Sequence, residues 1–536
     1  MTPLQSLHDT IRDAAAAVAG EQVPEVKLET PPRAELGDYS TNAPLLLAPR
    51  LGVPPREVAE RLARELAARL GEQLERVELA GPGFLNLYLQ DGWYVASLSH
   101  VVAAGERFGA ASLSSPLSID VEFVSANPTG PLHIGHARHA AYGDALSRIL
   151  AYRGYDVTRE YYINDYGSQV TKLGESVRAL ALGEPVPDDG YPGDYVGALV
   201  APERARELDL ETLAWEACQA CLALIRDSLE RFGVRFDVWF SERSLHEDGA
   251  VERVLEALDG RGETFTEDGA LWLRTSAHGD DKDRVLVRSS GDHTYFTSDI
   301  AYLEDKRERG YGRLVYVWGA DHHGYIARMK AACAALGGDP DALEMVIGQF
   351  VHLIGVEGRT AMSKREGEYV TLDELVDEVG VDAARFLLLA RSHDTTVDLD
   401  LDLAVRETAE NPVYYVQYAH ARIASILQRA GSDRVAEALS EIAPVEPLHP
   451  SERALLRRLL EFPAELSDAA ERRAPHRVAA YVLALAQDFT AFYRDCHVLG
   501  AQPRETESLR LALSLAARRT IACALELLGV SAPTQM

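Results

Sequence analysis

The sequence predicts an α/β protein in three parts: a doubly wound parallel sheet carrying an insertion, preceded by an α+β unit and followed by an all-helical bundle. Three observations carry that prediction. At 536 residues the chain has room for three or four domains of about 150 residues each. Between about 112 and 400, short β-rich runs alternate with helical stretches, the pattern of a parallel sheet with helical crossovers. Beyond about 405 the strands stop and a helical period takes over.

In residues 1–110, Leu4, Leu7, Ile11 and Val18, then Val58, Leu62, Leu66 and Leu70, recur three, four or seven apart and so share a helix face. Strands at 77–80 and 84–89 flank Gly81-Pro82-Gly83, which suits a hairpin turn. In residues 111–404, Leu117, Ile119, Val121 and Phe123 alternate as a strand, and a helix is expected over 131–150 with Pro131 in its first turn. Further strands are expected at 157–163, 314–318 and 345–353. From about 175 to 290 one long helix and hairpin-like strands interrupt the alternation, the mark of an insertion. In residues 405–536 three stripes predict the bundle: Val416, Ala419, Ile423, Leu427; Val478, Tyr481, Val482, Leu485, Phe489, Phe492, Tyr493; and Leu509, Leu513, Ala516. Pro444, Pro447, Pro450 and Pro503 fall between stripes, where helices would end.

Composition narrows the class. With 47% hydrophobic and 26% charged residues, the chain can bury a core and is not disordered. No apolar run has the length of a membrane span, and the first twenty residues carry Asp9 and Asp13 where a signal peptide would be basic. A soluble, cytoplasmic, monomeric protein is expected. Five cysteines make no disulfide framework. Cys218 and Cys221 form the single C-x-x-C, but they share a helical stripe with Leu222, Ile225 and Leu229, so they read as buried structural thiols and no metal site is expected. A net charge of −29 excludes coating nucleic acid by bulk electrostatics. Its distribution is uneven: residues 406–536 hold 15 Arg against 16 Asp or Glu, so this part can still meet phosphates. Lysine is scarce, with Lys27, Lys172, Lys282, Lys306, Lys330 and Lys364 set against 48 arginines. Each retained lysine invites a reason.

The most specific stretch is 125–136, SANPTGPLHIGH, placed after the first strand of the parallel sheet and at the start of its helix. Ligands of open α/β sheets bind in that crevice. A helix N-terminus offers N–H groups and a positive dipole to phosphates, and Gly135 lets a base approach the backbone. His133 and His136 are three apart, so both imidazoles point to one side of the first turn, where they can donate to phosphate oxygens as charge develops. An isolated H-x-x-H would be a surface pair or a weak metal pair. A second element changes the balance: Ala361-Met362-Ser363-Lys364-Arg365, between a strand and a helix, supplies a lysine able to neutralise a leaving pyrophosphate.

His133-Ile134-Gly135-His136 and Met362-Ser363-Lys364-Arg365 resemble the HIGH and KMSKS signatures of class I aminoacyl-tRNA synthetases. Across nearly the whole chain the sequence is similar to the arginyl-tRNA synthetase family, through ELGDYS at 35–40, GFLNL at 83–87, YFTSD at 295–299, GADHHG at 319–324 and NPVYYVQYAHAR at 411–422. The resemblance implies a Rossmann-like catalytic domain, ATP with Mg²⁺ as a substrate complex, L-arginine and tRNA(Arg). It implies ATP contacts from His133, Gly135, His136, Met362, Ser363 and Lys364, with His133, His136 and Lys364 catalytic. A guanidinium is a planar fork of donors best matched by carboxylates. By similarity Glu122, Tyr295 and Asp299 would hold it, while Asn127, His133 and Asp321 would bind the α-amino and carboxylate end. In parts of the family a glutamine stands at the place of Asp321.

The bundle would read the anticodon and the N-terminal unit the D-loop corner of tRNA. Splayed bases stack on aromatics beside arginines, which makes Tyr414, Tyr418, Arg422, Phe492 and Tyr493 the tRNA candidates. Two departures stand out: Ala361 replaces the first KMSKS lysine, and Gly130 stands where some members carry a lysine ahead of HIGH. Arg359, Arg365 and additional Mg²⁺ are the alternatives for that missing cation. Rival readings are a class I synthetase for another amino acid, an inert RNA-binding relative and a small adenylyltransferase. Glutamate would be repelled by Glu122, Asp299 and Asp321, and an adenylyltransferase would not need the terminal domains.

Overall fold

The structure is a computed structural model that describes residues 2–23, 26–31, 33–354, 370–440, 442–443, 445 and 447–536. The N-terminal unit joins a four-stranded antiparallel sheet of β1 (Leu28–Glu29), β2 (Tyr39–Thr41), β3 (Leu74–Ala80) and β4 (Phe84–Leu89), in the order β1-β2-β4-β3, to helices. The helices Pro3–Ala19 and Pro55–Leu70 bury the two predicted stripes, Leu7 and Ile11 in the first and Val58, Leu62, Leu66 and Leu70 in the second. The hairpin turns where Gly81-Pro82-Gly83 predicts it, with Ala80 opposite Phe84. The unit docks on the C-terminal bundle through Arg453, whose guanidinium donates to Asp38 at 2.9 Å and Asp91 at 2.7 Å.

The central sheet is fully parallel. Its strands are β5 (Ser118–Glu122), β6 (Asp156–Ile163) and β7 (Val238–Ser241), then, after the antiparallel trio β8 (Thr264–Glu267), β9 (Ala270–Leu273) and β10 (Arg284–Val287), β11 (Arg313–Gly319) and β12 (Leu343–Gly348). Their spatial order is β12-β11-β5-β6-β7. The chain winds outward from β5 through β6 and β7, then crosses back to β11 and β12. The topological switch therefore falls between β5 and β11, where the carboxyl ends of the strands open a crevice.

Three predicted elements need correction. The span 175–290 is not wholly an insertion, because β7 lies inside it and pairs in parallel with β6, Glu160 opposite Val238. A four-residue edge strand is too short to show alternation. The strand expected over 345–353 is two strands: β12 ends at Gly348, and β13 (Val351–Ile354) pairs instead with β14 (Val397–Asp400). The break is held by Gln349, whose N–H donates to His393 O at 2.9 Å and whose carbonyl accepts from Arg138 at 2.6 Å. The helix expected over 131–150 runs Ile134–Tyr152, because His133 caps it.

That helix lies close against β5. A Cβ on Gly143 would stand 2.1 Å from Cγ of the buried Phe123. Gly143→Ala is expected to destabilise the fold by about 1–3 kcal/mol through overpacking, read as a lowered midpoint in urea unfolding; an unchanged midpoint would contradict this packing.

The bundle comprises Pro412–Ala430, Ser432–Ser440, Pro450–Glu471, His476–Asp495 and Arg504–Leu528. Pro450–Glu471 was not among the predicted stripes. Pro450 sits in its first turn, Pro463 lies inside it, and it buries Leu455, Leu456, Leu459, Leu460 and Leu466. Arg385, fully buried, joins the bundle to the sheet domain: it donates to Leu528 O at 3.0 Å, to Phe232 O at 3.1 Å and to the carboxylate of Asp144 on the helix Ile134–Tyr152. Cys218 and Cys221 are buried in the helix Leu210–Arg231, where burial pushes both thiols up to about 12. Thiols so protonated are unreactive. No helix among the described residues is long and apolar enough to cross a membrane.

Candidate active site at the switch between β5 and β11

Beyond Glu122 the chain turns through Val124 at φ 69° and Ser125 at φ 39°. Left-handed backbone at such residues costs about 1–3 kcal/mol each and persists where the surroundings enforce it. Here the turn aims the Ser125 hydroxyl, which donates to Glu122 Oε1 at 3.2 Å and accepts from Tyr162 N–H at 3.1 Å. Asn127 stands exposed at the mouth, its amide donating to Gln169 Oε1 at 2.6 Å.

The next helix opens on the two histidines. His133 is its N-cap, with Nδ1 accepting the Gly135 N–H at 3.1 Å; His136 Nδ1 accepts the His133 N–H at 3.3 Å. The rings lie 3.8 Å apart, tilted by 31°. Burial lowers the basicity of both, and in His136, with His133 and His139 adding, it does so to about 3. Because each Nδ1 accepts a backbone proton, the neutral rings carry theirs on Nε2. Two uncharged Nε2–H donors thus stand side by side at a helix N-terminus. Gly135 has a second duty beyond admitting a base: a Cβ there would sit 2.9 Å from Cε1 of the capping His133 ring.

The chain returns to this point from the KMSKS-like segment. Ile134 N–H donates to Val370 O at 3.0 Å, Leu372 N–H donates to Leu132 O at 2.7 Å, and His133 bridges Thr371. Met362, Ser363 and Lys364, with Arg359, Ala361 and Arg365, lie outside the described residues.

Beside the helix tip is an acidic pocket. The helix Tyr295–Glu308 places Tyr295, Asp299, Tyr302 and Lys306 on one face toward the sheet. Tyr295 is 58% exposed at the rim. Asp299 accepts from the Tyr325 hydroxyl. Burial pushes its carboxyl up to about 6, the Tyr325 bond opposing and the nearby Glu122 adding. Glu122 is buried and in addition accepts from the Lys306 ammonium at 2.7 Å. Asp321 falls in the turn Ala320–Tyr325 after β11, and its side chain is outside those described.

The pocket holds one acid that the sequence reading missed. Glu242, directly after β7, is 4% exposed, and its Oε2 has no hydrogen-bond partner among the described residues. Burial, then Asp299, pushes this carboxyl up to about 8, with the Tyr162 and Ser298 hydroxyls opposing. A buried acid with an unmatched oxygen is costly unless a ligand completes it. Its one sequence signal is its place at the carboxyl end of a strand, which needs β7 to be recognised first. Among the described residues no cluster of three or more His, Cys, Asp or Glu is arranged to hold a metal ion.

The expected RNA-binding residues divide. Tyr418 and Tyr493 are exposed, and the Arg422 guanidinium lies over both rings, 4.7 Å and 5.2 Å from their centroids. Tyr414, half-buried, stacks on Tyr418 with ring centroids 6.2 Å apart. Phe492 does not belong with them: it is fully buried beside Phe489 at 5.9 Å and is a core residue.

The doubly wound sheet with paired histidines at the helix tip of its switch point is the catalytic domain of a class I aminoacyl-tRNA synthetase. Residues 84–179 and 208–426 match the description "tRNA synthetases class I (R), catalytic domain", residues 5–89 "Arginyl tRNA synthetase N terminal domain" and residues 416–536 "DALR anticodon binding domain". The chain is 46% identical to the arginine–tRNA ligase of Geobacillus thermodenitrificans and 45% identical to that of Geobacillus kaustophilus, in each case over 99% of both chains. It superposes on Thermus thermophilus arginyl-tRNA synthetase with a TM-score of 0.80 at 26% identity, covering 99% of this chain and 100% of that one. The chain belongs to the arginyl-tRNA synthetase family, the arginine–tRNA ligases.

Proposed function

We propose that Glu122, Asp299 and Glu242 receive the guanidinium of L-arginine while the His133–His136 pair and Lys364 handle ATP, supplied with Mg²⁺ as a substrate complex. The observation that carries this reading is the buried, unmatched Oε2 of Glu242 beside Asp299 and a helix tip bearing two neutral donors. Tyr295 packs along the side chain at the rim, and Asn127, His133 and Asp321 meet its α-amino and carboxylate end. The carboxylate of arginine is ionised at neutral pH and attacks the α-phosphorus directly, so no protein base takes a proton. The new P–O bond gives arginyl-adenylate as the bond to pyrophosphate breaks. The histidine Nε2–H groups and Lys364 serve the charge that builds on the phosphates. The adenosine hydroxyl at the 3′ end of tRNA(Arg) then displaces AMP from the arginyl carbonyl. Tyr414, Tyr418, Arg422 and Tyr493 are the RNA-facing group of the bundle. The enzyme works as a cytoplasmic monomer.

ATP–pyrophosphate exchange with a panel of amino acids, with and without tRNA, tests the assignment; exchange with glutamate and none with arginine would reject it. The pocket also predicts a pH dependence. A bound guanidinium favours ionised carboxylates, so arginine affinity is full only above the value of about 8 at which Glu242 titrates in the free enzyme, and it is lost as pH falls through that value and then through about 6, where Asp299 titrates. The expected drop between pH 7 and pH 5 is about tenfold from Asp299 and about a hundredfold from Glu242. Glu242, at about 8, releases a proton when arginine binds at neutral pH. Calorimetric titration in buffers of different ionisation enthalpy measures both, and an affinity flat from pH 5 to 7 with no proton release would contradict the pocket.

A further inference from the structure

Beneath the pocket lies an ion cluster in which the chemistry above gives a task to Glu122 alone. Lys306 is fully buried, and its ammonium donates to Asp120 Oδ2 at 2.5 Å and Glu122 Oε2 at 2.7 Å, with Glu160 Oε1 at 3.8 Å. The rings of Tyr302 and Tyr316 lie 4.6 Å and 4.5 Å from Nζ. The three carboxylates come from two strands: Asp120 and Glu122 share one face of β5, and Glu160 stands opposite Glu122 on β6. Arg309 donates to Glu160 from the other side at 2.5 Å. Burial opposes a charge on Lys306, but Asp120 and Glu122 hold its ammonium well above its ordinary value. It is one of six lysines against 48 arginines. A compact ammonium with three diverging donors suits this site, whereas a planar guanidinium would not reach Asp120 and Glu122 from one point.

We propose that Lys306 is a positioning residue for arginine recognition, fixing the carboxylate of Glu122 from below and, through its own helix, setting Asp299 against it. Lys306 and Asp299 are seven residues apart on one face of the helix Tyr295–Glu308, which is two turns. Pinning Nζ to β5 therefore fixes both the slide and the rotation of that helix over the pocket. Ser125 holds the other oxygen of Glu122 at 3.2 Å, so the two anchors together set the plane of the carboxylate. This proposal rests on the reading of Glu122 and Asp299 as guanidinium ligands.

A purely structural role would be confined to neutralising Asp120, and the double variant Lys306→Met/Asp120→Asn separates the two. It removes that buried pair together, whereas Lys306→Met alone strands the carboxylates. In ATP–pyrophosphate exchange the double variant is expected to raise KM for arginine by about tenfold or more, with KM for ATP and tRNA affinity in filter binding held within about twofold. An arginine KM within about twofold of the parent enzyme would overturn the proposal. If neither variant folds, Lys306→Arg, which keeps the charge and displaces the donors, is measured against the same two limits. Glu122→Gln, run in parallel, separates the layers. A raised arginine KM in Glu122→Gln with none in the Lys306 variants rejects the positioning role alone; no change in Glu122→Gln rejects the guanidinium reading beneath it.

Discussion

Lys364→Ala is expected to slow arginyl-adenylate formation by about 10²–10³-fold, the scale of removing one charge-stabilising donor from a transition state, while tRNA affinity in filter binding changes by less than about twofold. The reasoning begins in the sequence. Ala361 and Gly130 occupy the two places where the one further cation would stand, so on the proposed assignment Lys364 is the lysine left to meet the pyrophosphate. The structure adds the path. Residues 370–372, just beyond the segment, are hydrogen-bonded to 132–134 at the helix tip, and six residues span at most about 20 Å. Charge on the leaving group appears in the transition state and not in bound tRNA, so the two losses should separate. Equal loss of both would make the lysine an RNA contact.

Arg385→Met should cost about 2–4 kcal/mol of stability: Asp144 keeps Arg148 at 2.8 Å but loses its one fully buried donor, and two buried carbonyls are left unmatched. Asp144 and Arg385 are both fully buried, so water cannot replace the lost bond. Phe232 O and Leu528 O lose a donor at the same time. Urea unfolding followed by tryptophan fluorescence measures the loss. A single variant as stable as the parent would mean that this junction is not a structural tie. Because Arg385 joins the end of the last helix to the helix that His133 caps, the same substitution should loosen the bundle from the sheet domain.

How far the sequence could be read depended on whether a residue's neighbours in space were also its neighbours in the chain. Glu122, His133 and His136 were legible because a strand end and a helix start lie within fifteen residues of one another in 122–136, and that spacing alone brings them to one crevice. Asp299 was named through the family resemblance, and its spacing of one turn from Tyr295 puts both on one face of their helix. Glu242 was not, since its meaning depends on β7, four residues long at the sheet edge. The break between β12 and β13 falls at Gly348-Gln349, a short interruption in a largely apolar run, and the distant Arg138 and His393 hold it. Phe492 and Tyr493 show the limit of periodicity: neighbouring helical positions differ by about 100°, so a wide stripe includes both a core ring and a surface ring. Lys306 was visible only as a rare lysine, and nothing nearby in sequence announced three carboxylates around it.

The histidine pair and the acidic pocket respond to acid very differently. Burial moves both imidazoles away from protonation, His136 as far as about 3, whereas Asp299 and Glu242 take up protons at about 6 and about 8. On the proposed assignment, acidification therefore starves the enzyme of its amino acid before it touches the nucleotide side, and more arginine offsets the deficit where more ATP does not.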